Sequence, residues 1–284
     1  MGRTRAALKT LVRAVRRKPD VEDPASVDPA VLRAWAPVLD DFCRVWFRLE
    51  VRGVERVPEG AALFVGNHNS GTTFIEAIGV WARLYRERGT EQLWHGLAHD
   101  AIVDMPGLGR IMSRLGAVRA GHDSAARVFS LGRKVVVFPG GNREAFRPWA
   151  QRNEVQFYGR KGFIRLAVRH SVPIVPVVFH GGHNGLLILH DGERLARMLR
   201  MDRILRSDAW PLWLGLPWGI ALGPWFHLPL PVKCVTEFLD PISTAHLGPE
   251  AAEDPDILQA LYDEVQDAMQ TRLGALSQEF PGIF

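Results

Sequence analysis

The residues best suited to catalysis come directly after an apolar run in the first quarter of the chain. A predicted strand over residues 61–65 leads into a polar turn with His68, and the helix that follows carries Glu76. Histidine titrates near neutral pH, and a nearby carboxylate fixes its tautomer and stabilises its charged form. The pattern predicts that His68 is a general base oriented by Glu76. The alternative is a histidine that only hydrogen-bonds a turn and an ordinary first-turn acid favoured by the helix dipole.

Three further blocks place charged residues beside turns or strand ends. The first is a short strand-like run, residues 115–120, which ends near Arg119. The second is an apolar strand followed by the glycine turn Gly140-Gly141-Asn142-Arg143-Glu144. The third is Arg160-Lys161-Gly162-Phe163, which precedes another apolar run. Arginine forks suit the recognition of phosphate and carboxylate groups, so these blocks are candidates for substrate binding.

Strands that alternate with helices must position these blocks. Apolar or β-branched runs predict strands at 61–66, 134–138, 174–179 and 232–238. Helical periodicity predicts helices at 72–87, 107–115, 122–131, 161–170 and 255–273. Such alternation indicates an α/β fold, here with a central mixed, largely parallel sheet flanked by helices.

The N-terminal segment differs in charge from the rest. Residues 1–18 carry seven positive and no negative side chains, so the remainder of this +4 chain is net negative. On a helix the apolar and basic residues separate onto two faces, as in helices that lie on anionic membranes. A solvated basic tail is the alternative. A Pro/Asp-rich break separates this segment from a predicted helical pair over residues 28–50, and the main α/β domain is predicted over residues 51–284.

A second unusual stretch spans residues 209–232. It is long enough to cross a bilayer, but it contains five prolines and four tryptophans. Prolines at this density break a spanning helix. The composition favours an interfacial or re-entrant apolar surface with a tryptophan belt, and the alternative is a Pro-rich loop that covers the core.

Several other classes of site find little support. The two cysteines, Cys43 and Cys234, lie in apolar segments, which argues against a disulfide framework and favours a reducing compartment. The pairs His95/His99 and His180/His183 have spacings that a helix can use for a metal, but no third ligand accompanies them. We therefore expect no metal and no cofactor. No Gly-x-Ser-x-Gly elbow and no nucleic-acid-binding motif occur.

In their order and spacing the four blocks resemble the glycerolipid acyltransferase superfamily, which has the lysophospholipid acyltransferase fold. The closest resemblance is to the branch that includes the monoacylglycerol and diacylglycerol acyltransferases. It covers roughly residues 55–240. The resemblance implies transfer of a fatty acyl group from an acyl-CoA or acyl-carrier thioester to a glycerolipid hydroxyl, with acyl-CoA as co-substrate.

One position departs from the family pattern. The family signature is a histidine with an aspartate five positions later, and here that position is Thr73. Residues three apart on a helix share a face, so Glu76 projects from the same side one turn further on. We therefore assign the catalytic pair to His68 and Glu76.

The resemblance also assigns substrate-binding roles. Arg119, Arg143, Glu144 and Lys161 fall where the family binds the acceptor and shapes the site. Backbone N–H groups of the Gly140–Gly141 turn, or of the helix start after Ser70, are the alternative donors for the tetrahedral oxyanion. Phosphate-acceptor members show a glutamate-glycine-threonine-arginine block, whereas Gly140-Gly141-Asn142-Arg143 is closer to the neutral-acceptor branch.

The expected setting is the cytoplasmic face of a membrane with anionic lipids, to which the protein would bind peripherally. The expected partners are that surface, acyl-CoA and a glycerolipid or lysophospholipid acceptor. Two alternatives stay open. One is a catalytically inactive lipid-binding protein, because the usual aspartate is absent. The other is a thioester or ester hydrolase, in which water replaces the acceptor.

Overall fold

The computed structural model describes Thr10 and residues 19–69, 71–73, 75–89, 93–98, 100–205 and 207–282, without the side chains of residues 75, 76, 101 and 102. The predicted basic helix over residues 1–18 thus lies outside the described residues, apart from Thr10. The strands are Glu50–Arg52 (β1), Ala62–Gly66 (β2), Trp94–Ala98 (β3), Val118–Arg119 (β4), Lys134–Val137 (β5), Ile174–His180 (β6), Leu187–His190 (β7), Leu212–Gly215 (β8), Gly219–Leu222 (β9) and Val235–Phe238 (β10). The α-helices are Pro29–Trp46 (α1), Ile75–Arg88 (α2), Asp100–Val103 (α3), Leu108–Arg114 (α4), His122–Ser130 (α5), Gly141–Ala145 (α6), Gly162–Arg169 (α7), Glu193–Met198 (α8), Met201–Ile204 (α9) and Pro255–Glu279 (α10).

Seven strands form the central sheet in the order β1-β10-β6-β2-β5-β3-β4. Strands β6, β2, β5, β3 and β4 are mutually parallel, while β10 pairs antiparallel with β6 and parallel with β1. The predicted fold class, a mixed and largely parallel sheet flanked by helices, is confirmed. Because the parallel strands point the same way, their carboxyl ends meet at one edge of the sheet, where ligand sites of open α/β sheets lie.

Helices cover both faces of this sheet, and strand β2 shows why. All five of its residues are buried, as expected for a central strand between two helical layers. Leu63 and Val65 join the core beneath α7 and α10. Ala62 and Phe64 point the other way, into the core beneath α1 and α2. The period of two along the strand therefore divides β2 between the two cores.

The longest helix, α10, has a well-defined start. Asp254 accepts hydrogen bonds from the backbone N–H groups of Asp256 at 2.9 Å and Ile257 at 3.2 Å. Pro255 occupies the first helical position, where no N–H is needed. Helix α1 starts in the same way, with Asp28 as the cap and Pro29 after it. These Asp-Pro pairs explain why both helices start where they do.

The predicted helical pair over residues 28–50 is wrong in one respect, since the structure has a single helix, α1, in this segment. Helix α1 continues through Pro37 and ends at Trp46. The chain then turns, and the Glu50 N–H donates to the Cys234 carbonyl at 3.0 Å, which starts β1 beside β10. The predicted boundary between this segment and the α/β domain therefore falls inside the central sheet.

The Pro-rich stretch 209–232 forms part of a second, three-stranded sheet in the order β7-β8-β9. Strands β8 and β9 form an antiparallel hairpin, and β7 pairs with the other edge of β8. Neither this sheet nor β3 was predicted, because prolines and tryptophans hide the strand pattern of the former and β3 lacks β-branched residues. Across the described part of the chain, no helix is both long enough and apolar enough to cross a membrane.

The contribution of the N-terminal cap of α10 to stability can be tested by removing its side-chain acceptor. We expect Asp254→Ala to lower the free energy of unfolding by about 1 kcal/mol, since two first-turn N–H groups lose their acceptor. Urea unfolding measures this change. Glu264→Ala, at an exposed position on the same helix, is the control, and an equal effect of both substitutions would contradict the assigned cap.

Candidate active site

The turn after β2 carries His68 at the carboxyl edge of the sheet, and its neighbours hold it there. Asn67, His68 and Asn69 are all buried. The Asn67 side chain donates to the carbonyl of Phe179 at 2.9 Å and accepts from its N–H at 2.8 Å. Asn69 donates to the same carbonyl at 2.7 Å. Two asparagines thus attach the turn to the end of β6.

Glu144 holds the same turn from the side of β5. Its fully buried carboxylate accepts from the backbone N–H of His68 at 2.8 Å and from that of Gln156 at 3.0 Å. Burial raises the pKa of Glu144 to about 7, while the positive charge of Arg147 and these two hydrogen bonds act against that rise. Glu144 therefore positions the backbone on which His68 is carried.

Gly140 makes room for this carboxylate. A Cβ atom at position 140 would lie 2.5 Å from the Gln156 carbonyl oxygen and closer still to the Glu144 side chain. No real Cβ atom tolerates such contacts, so the glycine is required for Glu144 to reach His68. Next to it, Gly141 has a φ of 56°, in the left-handed region that favours glycine.

Arg147 is the main fixed charge of the site, and sequence analysis missed it. Its fully buried guanidinium donates to the carbonyls of His68 and Glu144 and to the Asn69 side chain at 2.6 Å. It also donates to the carbonyls of Gln151 and Arg152. A buried charge is stable when all its donors are satisfied, and these five bonds occupy the five N–H groups. The only sequence signal is an arginine in an apolar context directly before a proline.

His183 completes the network. Its Nδ1 lies 3.0 Å from the Asn69 side-chain oxygen, and its Nε2 lies 3.1 Å from the Arg147 carbonyl oxygen. His183 is therefore a buried histidine with an oxygen atom near each of its ring nitrogens. In the other histidine pair, His95/His99, residue His99 lies outside the described residues. Within the described residues, no group of three or more His, Cys, Asp or Glu side chains is arranged to hold a metal ion.

The imidazole of His68 lies in an apolar environment. Its ring centroid is 4.8 Å from that of Phe138, with the planes tilted by 35°. Burial is the main cause that lowers the pKa of His68 to about 3; a hydrogen bond with the Asn69 backbone opposes this shift and the Arg147 charge adds to it. The ring is therefore neutral at physiological pH, which is the form that accepts a proton.

A cavity of about 380 Å³ opens beside His68. Its volume lies in the range of small-molecule sites. The lining away from His68 is apolar and includes Ile78, Trp81, Trp94, Leu97, Met112 and Leu115. Gly141, Asn142, Arg160 and Asp208 line it as well. The arrangement gives a buried base at one wall of an apolar chamber with a polar rim.

The other predicted residues are placed as follows. Glu76 is the second residue of α2, and its side chain lies outside the described residues, so its distance from His68 stays a prediction. Arg143 donates to Glu193 at 3.3 Å and lies 4.2 Å above the Tyr158 ring. Lys161 directly precedes α7.

Arg119 is not among the residues that line the cavity, although Ala117 and Ala120 are. It forms ion pairs with Asp100 at 2.6 Å and Asp104 at 2.7 Å, and these acidic neighbours raise its pKa. Arg160 reaches the cavity instead. Its guanidinium donates to the carbonyls of Pro139 and Gly140, both at 3.1 Å, and pairs with Asp208. The basic residue of the third block that lines the cavity is therefore Arg160, the neighbour of the predicted Lys161.

Two of the predicted oxyanion donors are already used within the protein. The Gly141 N–H donates to the Phe138 carbonyl at 3.0 Å, and the Gly71 N–H donates to the Ala145 carbonyl at 3.2 Å. The first bond shapes the glycine turn, and the second ties the turn after His68 to α6. Both N–H groups support the geometry of the site.

Comparison with known proteins agrees with this geometry. Residues 48–180 match the sequence model of the Acyltransferase family. The chain is 32% identical over 249 residues to an uncharacterised protein of Mycobacterium tuberculosis, over 87% of this chain and 67% of that one. It is 28% identical over 247 residues to the Bos taurus protein named "DGAT1/2-independent enzyme synthesizing storage lipids", over 86% of this chain and 68% of that one. The chain belongs to the glycerolipid acyltransferase superfamily.

The fold of this acyltransferase is also found in a solved structure. The 1-acyl-sn-glycerophosphate (LPA) acyltransferase PlsC from Thermotoga maritima aligns with a TM-score of 0.52 at 15% identity, over 87% of this chain and 81% of that one. At this identity the match shows the fold alone. The resemblance inferred from the four sequence blocks is confirmed, and the chain is an acyltransferase of lipid metabolism.

The contact between Gly140 and Glu144 can be tested by adding one methyl group. We expect Gly140→Ala to lower the free energy of unfolding by roughly 1–3 kcal/mol, because the Glu144 carboxylate must move away from the His68 N–H. Chemical denaturation measures this change. Gly121→Ala is the matched control, since a Cβ at position 121 meets nothing within 4 Å. Equal stability of the two variants would contradict the role assigned to Gly140.

The neutral state of His68 predicts a pH dependence of stability. The pKa of His68 is about 3 in the folded chain and near 6.5 in the unfolded one. Between these values the unfolded chain binds more protons, so the free energy of unfolding falls as the pH falls from 6.5. The substitution His68→Gln removes this group. Between pH 7 and pH 4.5 the free energy of unfolding of this variant should therefore fall by roughly 2–3 kcal/mol less than that of wild type. Chemical denaturation at both pH values measures it, with the exposed His246→Gln as control, and an unchanged loss would show that His68 is not held neutral.

Proposed function

We propose that this protein transfers a fatty acyl group from an acyl-CoA or acyl-carrier thioester to a hydroxyl of a glycerolipid or lysophospholipid. The reaction takes place at the cytoplasmic face of a membrane, with His68 as general base and Glu76 as its orienting acid. The observation that carries this proposal is a buried, neutral His68 at the wall of an apolar cavity.

The position of His68 suits one proton transfer in each direction. Its neutral imidazole takes the proton of the acceptor hydroxyl while the hydroxyl oxygen attacks the thioester carbonyl. The tetrahedral intermediate then expels the thiolate, and the imidazolium returns the proton to the sulfur. In this scheme Glu76 stabilises the imidazolium, which burial and the Arg147 charge otherwise disfavour.

The cavity suits the acyl chain of the donor. Its lining, with Trp81, Trp94 and Met112 among its members, is mostly apolar. Each methylene group that leaves water for such a wall contributes about 0.8 kcal/mol. A fatty chain of ordinary length therefore gains enough binding free energy to hold the thioester beside His68.

The polar rim suits the charged part of the substrates. Arg160 lines the cavity, and its bonds to Pro139, Gly140 and Asp208 keep the guanidinium beside the glycine turn. Arg143 and Lys161 lie on neighbouring segments and are proposed to meet anionic groups of the donor or acceptor. The two aspartates that pair with Arg119 favour a structural role for that residue.

Two observations support a neutral acceptor over a phosphate-bearing one. Gly140 stands where phosphate-acceptor members have a glutamate. The space that a side chain at position 140 would need is occupied by the Glu144 side chain. Relatives such as the Bos taurus protein carry a name that refers to storage lipids. Both support a neutral glycerolipid acceptor, so a mono- or diacylglycerol is the preferred substrate within the proposal.

Acyl transfer by purified full-length protein tests the proposal. The assay uses radiolabelled acyl-CoA with lysophosphatidic acid, monoacylglycerol and diacylglycerol, and it compares wild type with His68→Ala and Glu76→Gln. We expect His68→Ala to lower kcat by roughly 10²–10⁴-fold, as for loss of a general base. Glu76→Gln should lower kcat at least tenfold, since the imidazolium loses its counter-charge.

His246→Ala and Glu264→Gln, both exposed, are the matched controls and should leave kcat unchanged. Transfer that survives His68→Ala would refute the mechanism. Free fatty acid without acylated lipid would identify a hydrolase. Lipid binding without any turnover would identify an inactive binding protein.

A further inference from the structure

The hairpin β8–β9 carries large apolar side chains on both of its faces. Trp213 and Ala221 are paired across it and point inward, to the small core that includes Ile188. One position further along, Leu214 and Ile220 are paired on the opposite face. That face is exposed, with Ile220 73% accessible. An antiparallel sheet with one face in water normally alternates apolar and polar residues, so this outer face is not built for water.

The exposed apolar surface extends beyond the two strands. We call residues 209–232 the apolar hairpin; this segment contains no Asp, Glu, Lys or Arg. Besides Ile220 its exposed large side chains are Leu214, Leu216, Trp218, Leu222, Trp225, Phe226 and Leu228. Exposed apolar side chains gathered on one segment mark an interaction site.

The exposed tryptophans have no unsatisfied polar group. The Trp218 indole N–H donates to the Phe226 carbonyl, and that of Trp225 donates to the Leu222 carbonyl, both at 2.7 Å. Entry of these rings into a less polar medium therefore breaks no hydrogen bond with the protein. Tryptophan rings are enriched at the boundary between lipid headgroups and hydrocarbon.

Basic side chains accompany the apolar hairpin. Helices α8 and α9 connect β7 to β8, and the chain returns to the sheet where the Trp210 N–H donates to the Asp191 carbonyl at 3.0 Å. Residues 193–205 carry four exposed arginines and two acidic residues, and Met198 and Ile204 are exposed among them. This mixture of positive charge and apolar side chains complements the surface of an anionic bilayer.

The apolar hairpin also contacts the turn that carries the active site. The Thr72 hydroxyl donates to the Trp225 carbonyl at 3.2 Å. A Cβ at Gly71 would lie 3.2 Å from the His227 ring, so the two segments are closely packed. Gly71 and Thr72 follow His68 by three and four positions. A surface that binds lipid here lies directly beside the catalytic turn.

We propose that the apolar hairpin is the membrane-docking surface of this protein, and that it inserts into the interfacial layer of an anionic lipid bilayer. Docking through this surface brings the turn with His68 to the lipid that supplies the acceptor. The choice of a lipid partner rests on the proposed function of that site. The helical connection α8–α9 adds electrostatic attraction to the headgroups.

Vesicle binding tests the surface directly. The full-length protein is mixed with vesicles of seven parts phosphatidylcholine to three parts phosphatidylglycerol, and the bound fraction is measured by sedimentation. We expect the double variant Trp218→Ser/Ile220→Ser to lower the partition coefficient at least tenfold, because two large apolar side chains no longer leave water. The matched control is Val45→Ser/Leu131→Ser, at positions that are 77% and 52% exposed in other parts of the fold. This control should bind as wild type does.

The charge contribution is measured separately. Arg194→Gln/Arg197→Gln should weaken binding to the anionic vesicles and leave binding to pure phosphatidylcholine vesicles unchanged, since only headgroup attraction is removed. Quenching of tryptophan emission by lipids brominated on the acyl chain should be strong in wild type. It should fall in Trp218→Phe/Trp225→Phe, which keeps the apolar surface.

Three outcomes would overturn the proposal. One is unchanged partition of Trp218→Ser/Ile220→Ser, and another is absence of quenching in wild type. The third is a wild-type dimer in lipid-free solution that this variant converts to a monomer, which would make the surface a subunit interface. A second assay separates failure of membrane docking from failure of the proposed catalytic function. It measures acyl transfer from a short-chain acyl-CoA to a water-soluble monomeric acceptor, which requires no membrane. The hairpin variant should retain that activity, whereas His68→Ala should lose it.

Discussion

The buried guanidinium of Arg147 joins its own stretch of chain to the turn after β2, nearly eighty positions earlier in the sequence. It binds the carbonyl of His68 and the side chain of Asn69 in the turn after β2, the carbonyl of Glu144 at the end of α6, and the loop carbonyls at 151 and 152. A buried charge with an unmet donor is costly, so the turn and the stretch around Arg147 must be in place together. The orientation of the turn with His68 depends on this interaction, and Glu144 reinforces it from the other side through the His68 N–H.

The same constraint sets the chemistry of His68. Burial of the turn, together with the Arg147 charge, lowers the pKa of the imidazole and keeps the ring neutral. A neutral ring can accept a proton, but burial and the Arg147 charge make the resulting imidazolium unstable. The proposed mechanism therefore needs a counter-charge near the ring, and that is the physical reason to assign Glu76. In the proposed mechanism the apolar cavity beside His68 holds the acyl chain of the donor.

Much of the central sheet can be predicted from the sequence, since local residue patterns determine its strands. The strands β2, β5 and β6 are continuous apolar runs, and the parallel arrangement places His68 and Gly140 at one edge. The role of Arg147 is not readable in this way, because most of its partners are backbone carbonyls and the turn it binds lies nearly eighty positions away. Arg119 is a different case, because its predicted role in substrate binding stays a prediction. Its place in the sequence suggested a ligand, and only the fold shows Asp100 and Asp104 beside it. The interfacial character of residues 209–232 was predicted from composition, while the outward face of the hairpin depends on strand register.

The central claim is that the fold holds the His68 imidazole in its neutral form. Nitrogen NMR of protein labelled with ¹⁵N-histidine measures this state directly, with His68→Gln used to assign its signals. The account predicts the chemical shifts of a neutral ring from pH 8 down to pH 5, with no titration step near 6.5. A His68 signal that titrates with a midpoint near 6.5 would contradict it, since the ring would then be solvated and free of the constraint that Arg147 and Glu144 impose.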